Sequence, residues 1–229
     1  MFSRTSSALS QRSESRHAIG IDPNQFAISF RYKRATEIYG ENEPAEYLYQ
    51  ITEGAVRSCR ILSDGRRHIG AFHLAGDLFG FENGPVHRFT AEAIVDTHVR
   101  LIKLSSLEVA AKRDLPLVHD LLKMTASNLE HAEDHMLLLG RKNAIERVAA
   151  FLLEMDHRLT NAGFLSLPMN RRDIADYLGL TIETVSRALT CLESQRALAF
   201  LGERQRQIVL LDRKRLSDPD GCASIWPKT

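Results

Sequence analysis

Glu183 and Arg187 stand four residues apart, which on a helix puts a carboxylate and a guanidinium on one face. Together they can read a C·G base pair: the carboxylate accepts from cytosine N4, and the guanidinium donates as a fork to guanine O6 and N7. The plainer use of the same spacing is a surface ion pair worth about a few tenths of a kcal/mol. The two uses are compatible, because a paired arginine is already oriented for its base. Thr181, Ile182, Thr184 and Ser186 surround them in the first turns of the same segment, the part that meets base edges when a helix enters the major groove.

The surrounding residues predict how this face is presented. In RRDIADYLGLTIETVSRALT, Arg171 to Thr190, Asn170 is placed to cap a first helix, and Asp173 lies where a carboxylate reaches back to the cap. Ile174 and Leu178 supply the buried side, and Ala175 is small where two helices cross. Gly179 falls at the sharp turn, where a positive φ suits glycine. Leu180 plugs the corner and Thr181 caps a second helix whose Val185, Ala188, Leu189 and Leu192 point inward. A generic helical hairpin needs the apolar spacing but not also the small residue and the turn glycine, so the pattern predicts a helix-turn-helix. Downstream, Ala197–Leu201 and Gln207–Leu211 read as a β-hairpin wing joined by Gly202-Glu203-Arg204-Gln205-Arg206. Arg204 and Arg206 there, and Arg171 and Arg172 at the first helix's start, are placed to meet phosphates, contacts that position without specifying sequence.

Other elements must carry this module. Val118, Leu122, Thr125, Leu129, Ala132, Met136 and Leu139 recur at alternating steps of four and three, with no proline or glycine between Pro116 and Gly140. That is the heptad rhythm of a helix seam. Such a stripe can pack a helix on its own domain, but Leu121 and Met124 lie off it and offer a second apolar face. One face can then rest on the chain's own core while the other meets a second copy. Asn143 to about Leu159 is a further amphipathic helix. Before the seam, Phe26 to about Leu104 reads as short strands, with Asp64-Gly65 as a hairpin turn and a further strand pair at Phe89–Ile94 and His98–Leu104. These predict a small barrel or sandwich.

The fold class expected is therefore α+β. Residues 1–25 form an N-terminal tail, 26–113 a strand-rich domain, 114–140 a dimerisation helix, 141–216 a winged helix-turn-helix and 217–229 a C-terminal tail. The net charge of +1 exerts no overall pull toward nucleic acid. From Gly140 to Arg215, however, 13 Lys and Arg stand against nine Asp and Glu, as suits a basic module on a more acidic one. The three cysteines, Cys59, Cys191 and Cys222, lack any paired spacing, which argues against a disulfide framework or zinc site and fits a reducing cytosol. Cys191 reads either as a buried small residue or as a redox-sensitive thiol. His131 and His135 lie four apart but off the seam, so a solvated helical face is expected there rather than a metal site. No Ser-His-acid set, phosphate loop or paired-carboxylate cleft is present, and nothing predicts a membrane span or catalysis.

On these residues the chain, from about Phe26 to Leu216, resembles the CRP/FNR superfamily of bacterial transcription regulators. The strand-rich half is similar to that family's cyclic-nucleotide-binding-like β-roll, with Gly54, Asp64-Gly65 and Gly76-Asp77-Leu78-Phe79-Gly80 at its turns. The seam corresponds to its dimer helix. Glu183-Thr184-Val185-Ser186-Arg187 has the E-T-x-S-R form of the FNR branch. The resemblance implies a TTGA half-site in a TTGA-N6-TCAA palindrome, with Glu183 and Arg187 reading the C·G pair and Ser186 the neighbouring thymine.

Cyclic-nucleotide members of the family hold their ligand with a Gly-Glu pair and an R-[ST]-A run. Here Phe81 separates Gly80 from Glu82, and Phe89 separates Arg88 from Thr90-Ala91. FNR itself binds an iron–sulfur cluster through N-terminal cysteines, and none precedes Cys59. The remaining similarity is to the FixK group. It implies a cytoplasmic homodimeric activator of low-oxygen or nitrogen-fixation genes that needs no cofactor or small-molecule effector, with double-stranded DNA and RNA polymerase as partners. The alternative is a ligand-gated regulator whose β-roll binds a cyclic nucleotide or another small molecule.

Overall fold

A computed structural model describes residues 27–159, 162–202, 206–217 and 219. The expected tails lie outside these residues, apart from Ser217 and Pro219, as does Arg204 in the wing. Of the described residues, those up to Val56 together with His73–Glu130 form one compact unit, and Arg57–Phe72 together with those from His131 on form another.

The first unit is built on β1 (Ala27–Tyr32), β2 (Glu37–Tyr39), β3 (Tyr47–Glu53), the start of β4 (Ala55–Ile61), β6 (Leu78–Phe79), β7 (Thr90–Ala93) and β8 (Thr97–Lys103). One antiparallel sheet has the order β1-β8-β3-β6, and the other runs β2-β7-β4-β5, with β5 at Arg67–Leu74. Successive residues of β3 face opposite ways, as the strand period dictates. Tyr49 and Ile51 join Tyr39, Val56, Phe79, Ala91 and Val99 in one core cluster. Leu48 points the other way, into a second cluster with Leu78, Ile102, Leu107, Leu117 and Met124.

One expectation is corrected here. β7 and β8 do not pair: β7 lies beside β2, and β8 between β1 and β3. The chain crosses between sheets at Thr97, whose hydroxyl accepts from Ala55 N at 3.2 Å and donates to the Val95 carbonyl at 2.8 Å. Gly54, with φ at +98°, backs against this crossing, and a Cβ there would lie 2.5 Å from Thr97 Oγ1 and 2.7 Å from the Asp96 carbonyl oxygen.

Helix α1 (Leu104–Ala111) leads to α2 (Leu115–Arg141), 27 residues long and begun by Asp114, whose side chain accepts from Leu117 N at 3.0 Å. Pro116 sits in the first turn, where its missing N–H costs nothing. Leu117 and Met124 are buried and Leu121 packs beside them, so this face belongs to the unit's own core. The seam faces outward: Leu122 is 63%, Leu129 59% and Met136 63% exposed. Thr125 and Ala132 are exposed with them, while Val118 and Leu139 at the two ends are half-buried.

In the second unit, Asn143 caps α3 (Ala144–Leu159), which buries Ile145, Val148, Phe151, Leu152 and Met155. Its buried Asp156 is satisfied by Arg213 at 2.6 Å and by the Gly163 N–H at 2.7 Å. Helices α4 (Arg171–Leu178) and α5 (Ile182–Ser194) follow, then β10 (Leu198–Leu201), β11 (Gln207–Leu210) and the short α6 (Arg213–Ser217). The sequence signals gave the two wing strands but not β9 (Phe164–Ser166), which adds to β11 as a third strand. The β4–β5 turn forms the expected hairpin, closed by Leu62 N to the Arg66 carbonyl at 2.8 Å.

Candidate nucleic-acid interface

The helix-turn-helix assembles as its residues predict. Asn170 accepts from Asp173 N at 2.9 Å while the Asp173 carboxylate takes the Asn170 N–H at 3.3 Å, a complete capping box. Gly179 ends α4 at φ +63°, a left-handed conformation costly for residues with a Cβ. Thr181 caps α5 through Thr184 N at 3.1 Å. Ile174, Ala175 and Leu178 of α4 are buried, as are Val185, Ala188, Leu189 and Leu192 on the inner face of α5, and the two helices adjoin.

The outer face of α5 is what remains. Thr181, Ile182, Glu183 and Arg187 are exposed, and Thr184 and Ser186 half-buried. Glu183 and Arg187 share this face without an ion pair between them. Both charged groups are therefore open to an outside partner.

Arg172 is exposed at the start of α4. Arg171 is engaged: its Nη1 donates to Ser186 Oγ at 3.1 Å, and its guanidinium carbon lies 5.7 Å from the centre of the Phe200 ring on β10. Arg206, half-buried, takes part in the wing through its carbonyl, which accepts from Leu167 N at 3.0 Å.

Several positioning residues escape sequence reading. From the β4–β5 hairpin, Arg57 Nη1 lies 2.8 Å and Arg67 Nη2 2.7 Å from the same Asp173 oxygen, and Arg67 Nε donates to Asp176 at 2.7 Å. Phe72 of that hairpin packs on Tyr177, with 5.0 Å between ring centres. Arg147 donates to the carbonyls of Leu139 at 2.8 Å and Leu178 at 3.1 Å, joining the end of α2 to the end of α4. Cationic donors on the last carbonyls of helices are favourable.

The histidine pair differs from the solvated face expected of it. His135 stacks on Tyr177 at 4.1 Å, its Nε2 closed from solvent without a hydrogen-bond partner. His131 Nε2 lies 3.8 Å from Glu154. Tyr177 comes from far along the chain, so periodicity on α2 alone could not reveal it. Among the described residues no group of His, Cys, Asp and Glu is arranged to hold a metal. Cys59 and Cys191 are both buried, and Cys222 lies outside the described residues.

In the strand-rich unit, Glu82 accepts from the Arg88 guanidinium at 2.9 Å and from its backbone N–H at 3.2 Å. Thr90 Oγ1 accepts from Glu41 N at 3.0 Å. Glu82 and Arg88 are thus paired with each other, and the Thr90 hydroxyl is engaged by the Glu41 backbone.

Residues 29–114 match the family described as Cyclic nucleotide-binding domain, and 146–218 that described as Crp-like helix-turn-helix domain. The nitrogen fixation regulation protein FixK of Azorhizobium caulinodans is 44% identical over 190 residues, spanning 81% of this chain and 76% of that protein. The chain belongs to the CRP/FNR family. FixK of Rhizobium meliloti is 42% identical over 178 residues, 78% of this chain and 81% of its own length. The solved structure of FixK2 from Bradyrhizobium japonicum superposes with a TM-score of 0.80 at 63% identity, covering 86% of this chain and 98% of that one. As in other CRP/FNR proteins, a β-rich domain, a long helix and a winged helix-turn-helix follow in order, and the chain is a DNA-binding transcription regulator. Neither matching family is catalytic. Among the described residues no helix is long and apolar enough to cross a membrane.

Proposed function

We propose that this protein is a cytoplasmic, homodimeric activator of low-oxygen and nitrogen-fixation genes that binds a TTGA-N6-TCAA-like palindrome without a small-molecule effector. The observation that carries this reading is the exposed, unpaired Glu183 and Arg187 on the outer face of α5. A carboxylate and a guanidinium so presented suit a C·G pair, and Ser186 suits its neighbour. The names of the FixK relatives support the class of genes. The outward seam of Leu122, Leu129 and Met136 supports a symmetric pair of subunits, which a palindrome requires. RNA polymerase is the partner through which an activator of this kind acts.

Purified protein should bind the palindrome specifically with nothing added. Arg187→Ala should cost about 1–3 kcal/mol and relax preference at the guanine. A variant that distinguishes specific from random duplexes as wild type does would overturn the base-reading assignment.

One observation favours the ligand-gated alternative. His87 is fully buried beside Glu82, stacked on Tyr39 at 3.6 Å, and neither ring nitrogen has a hydrogen-bond partner. Its burial holds the imidazole below its ordinary pKa and hence neutral. Calorimetry with cyclic AMP and cyclic GMP separates the readings: a micromolar heat, or a footprint that needs either nucleotide, would replace the effector-free one.

A further inference from the structure

We propose that Arg171 determines sequence preference indirectly, by holding the Ser186 hydroxyl in the donor state so that α5 selects keto over amino bases at the position Ser186 faces. The inference rests on the reading of α5 as the base-reading helix. A free serine hydroxyl is ambivalent: it donates one hydrogen bond and accepts two, so alone it tolerates any base edge. Arg171 removes that freedom. A guanidinium has donors only and is never deprotonated, so at 3.1 Å its Nη1 takes a lone pair of Ser186 Oγ. The hydroxyl hydrogen is left to point elsewhere. The adjacent positive charge also disfavours a second donor at the same oxygen and polarises the O–H bond toward donation.

What this selects follows from the major-groove edges. Thymine O4 and guanine O6 are acceptors, whereas cytosine N4 and adenine N6 carry donor hydrogens at the corresponding places. Ser186 so biased donates to the first two, and offers the others only its remaining lone pair beside a positive charge. Arg171 is itself held, its guanidinium lying against Phe200 of the wing. Wing, first helix and recognition helix are thus joined through one side chain. Arg171 is a positioning residue in this scheme, and Ser186 is the group that touches the base.

The inference separates cleanly from a phosphate contact, the use of Arg171 that its place in the sequence suggests. Fluorescence anisotropy of the full-length protein would be measured on palindromes in which each half-site position in turn carries all four base pairs, at two salt concentrations. The proteins are wild type, Ser186→Ala, Arg171→Ala, Arg171→Lys and the Arg171→Ala/Ser186→Ala double variant. Wild type should prefer the keto base by about tenfold at one position. Ser186→Ala and Arg171→Ala should each flatten that same position to within about twofold, and the double variant should add nothing further. Arg171→Lys keeps a charge and an aliphatic stem beside Phe200, but its ammonium sits one bond short of the Nη1 position that reaches Ser186 Oγ, so it should flatten the position while leaving the salt slope unchanged.

Equal weakening of every duplex by Arg171→Ala, with the preference intact and the salt slope reduced by about one, would make Arg171 a phosphate contact and overturn the proposal. A Ser186→Ala variant that keeps all wild-type preferences would overturn it as well. Should Arg171→Ala melt below the assay temperature, Arg171→Lys decides by the same two readouts. Wild type that binds every duplex alike would instead sink the operator reading on which the proposal stands, a result distinct from a specific wild type whose Arg171 variants keep their preferences.

Discussion

Arg67 bridges Asp173 and Asp176, donating to each at 2.7 Å, and so ties the β4–β5 hairpin to the first helix of the helix-turn-helix. Asp173 is fully buried, receives Arg57 on the same oxygen, and closes the capping box with its backbone. One carboxylate therefore binds two guanidiniums, with Asp176 as a second anion for Arg67, and starts a helix. Removing it takes the buried carboxylate from Arg57 and leaves Arg67 with Asp176 alone, and a buried ion pair is costly to break from one side. Asp173→Ala should cost about 3–5 kcal/mol in chemical denaturation. Arg57→Met should cost clearly less, because Arg67 still pairs the carboxylate. Equal losses for the two variants would mean that the ion pairs do not hold the helix.

The two faces of α2 should separate association from folding. Leu129 lies on the exposed seam and Met124 in the strand-rich unit's core. Leu129→Glu should yield a folded monomer in sedimentation experiments and lose most affinity for the palindrome, since like charges would meet across the symmetric seam. Met124→Ala should cost about 2–5 kcal/mol of folding stability and leave the subunits associated. A Leu129→Glu protein that sediments as wild type would place the dimer contact elsewhere.

Two turn glycines make different demands. At Gly179 a Cβ would meet nothing nearer than 3.8 Å, so only the positive φ opposes a side chain. Gly179→Ala should then cost about 1–2 kcal/mol. At Gly54 a φ of +98°, beyond the left-handed region that residues with a Cβ can enter, is joined by clashes at 2.5 Å with the Thr97 hydroxyl and 2.7 Å with backbone atoms. Gly54→Ala should lower the melting temperature well beyond Gly179→Ala. Similar melting temperatures for the two would show that the sheet crossing is softer than its geometry implies.

What the sequence made legible was local. The capping box, the Gly179 turn and the inner face of α5 are encoded within a few residues of one another, and each formed as expected. The apolar stripe of α2 was legible because its period is carried by a single helix. Illegible features depend on residues far apart in the chain. Arg57 and Arg67 reach Asp173 across 116 and 106 positions, and no periodicity relates them. Strands β7 and β8 looked like neighbours because a short turn joins them, yet that turn carries the chain between sheets. At three residues, β9 is too short to show alternation. Glu183 and Arg187 had the spacing of an ion pair, but with both side chains exposed no pair forms.

His135 gives the second unit a dependence on pH whose sign can be worked out. Burial, and then the nearby His131 and His68, lower its pKa to about 4, against about 6.5 for a histidine in the unfolded chain. Between those values the unfolded chain binds a proton that the folded protein refuses, so stability rises with pH across that window. The contribution is fully present above about pH 6.5, is lost as pH falls toward 4, and changes no further below it. His135→Phe keeps an aromatic ring over Tyr177 but cannot titrate, so its denaturation midpoint should fall less than that of wild type between pH 6.5 and 4. Carboxylates titrate in both proteins and cancel in the comparison. Parallel curves would mean that His135 titrates as it does in the unfolded chain, and that its stack on Tyr177 opens to water in solution.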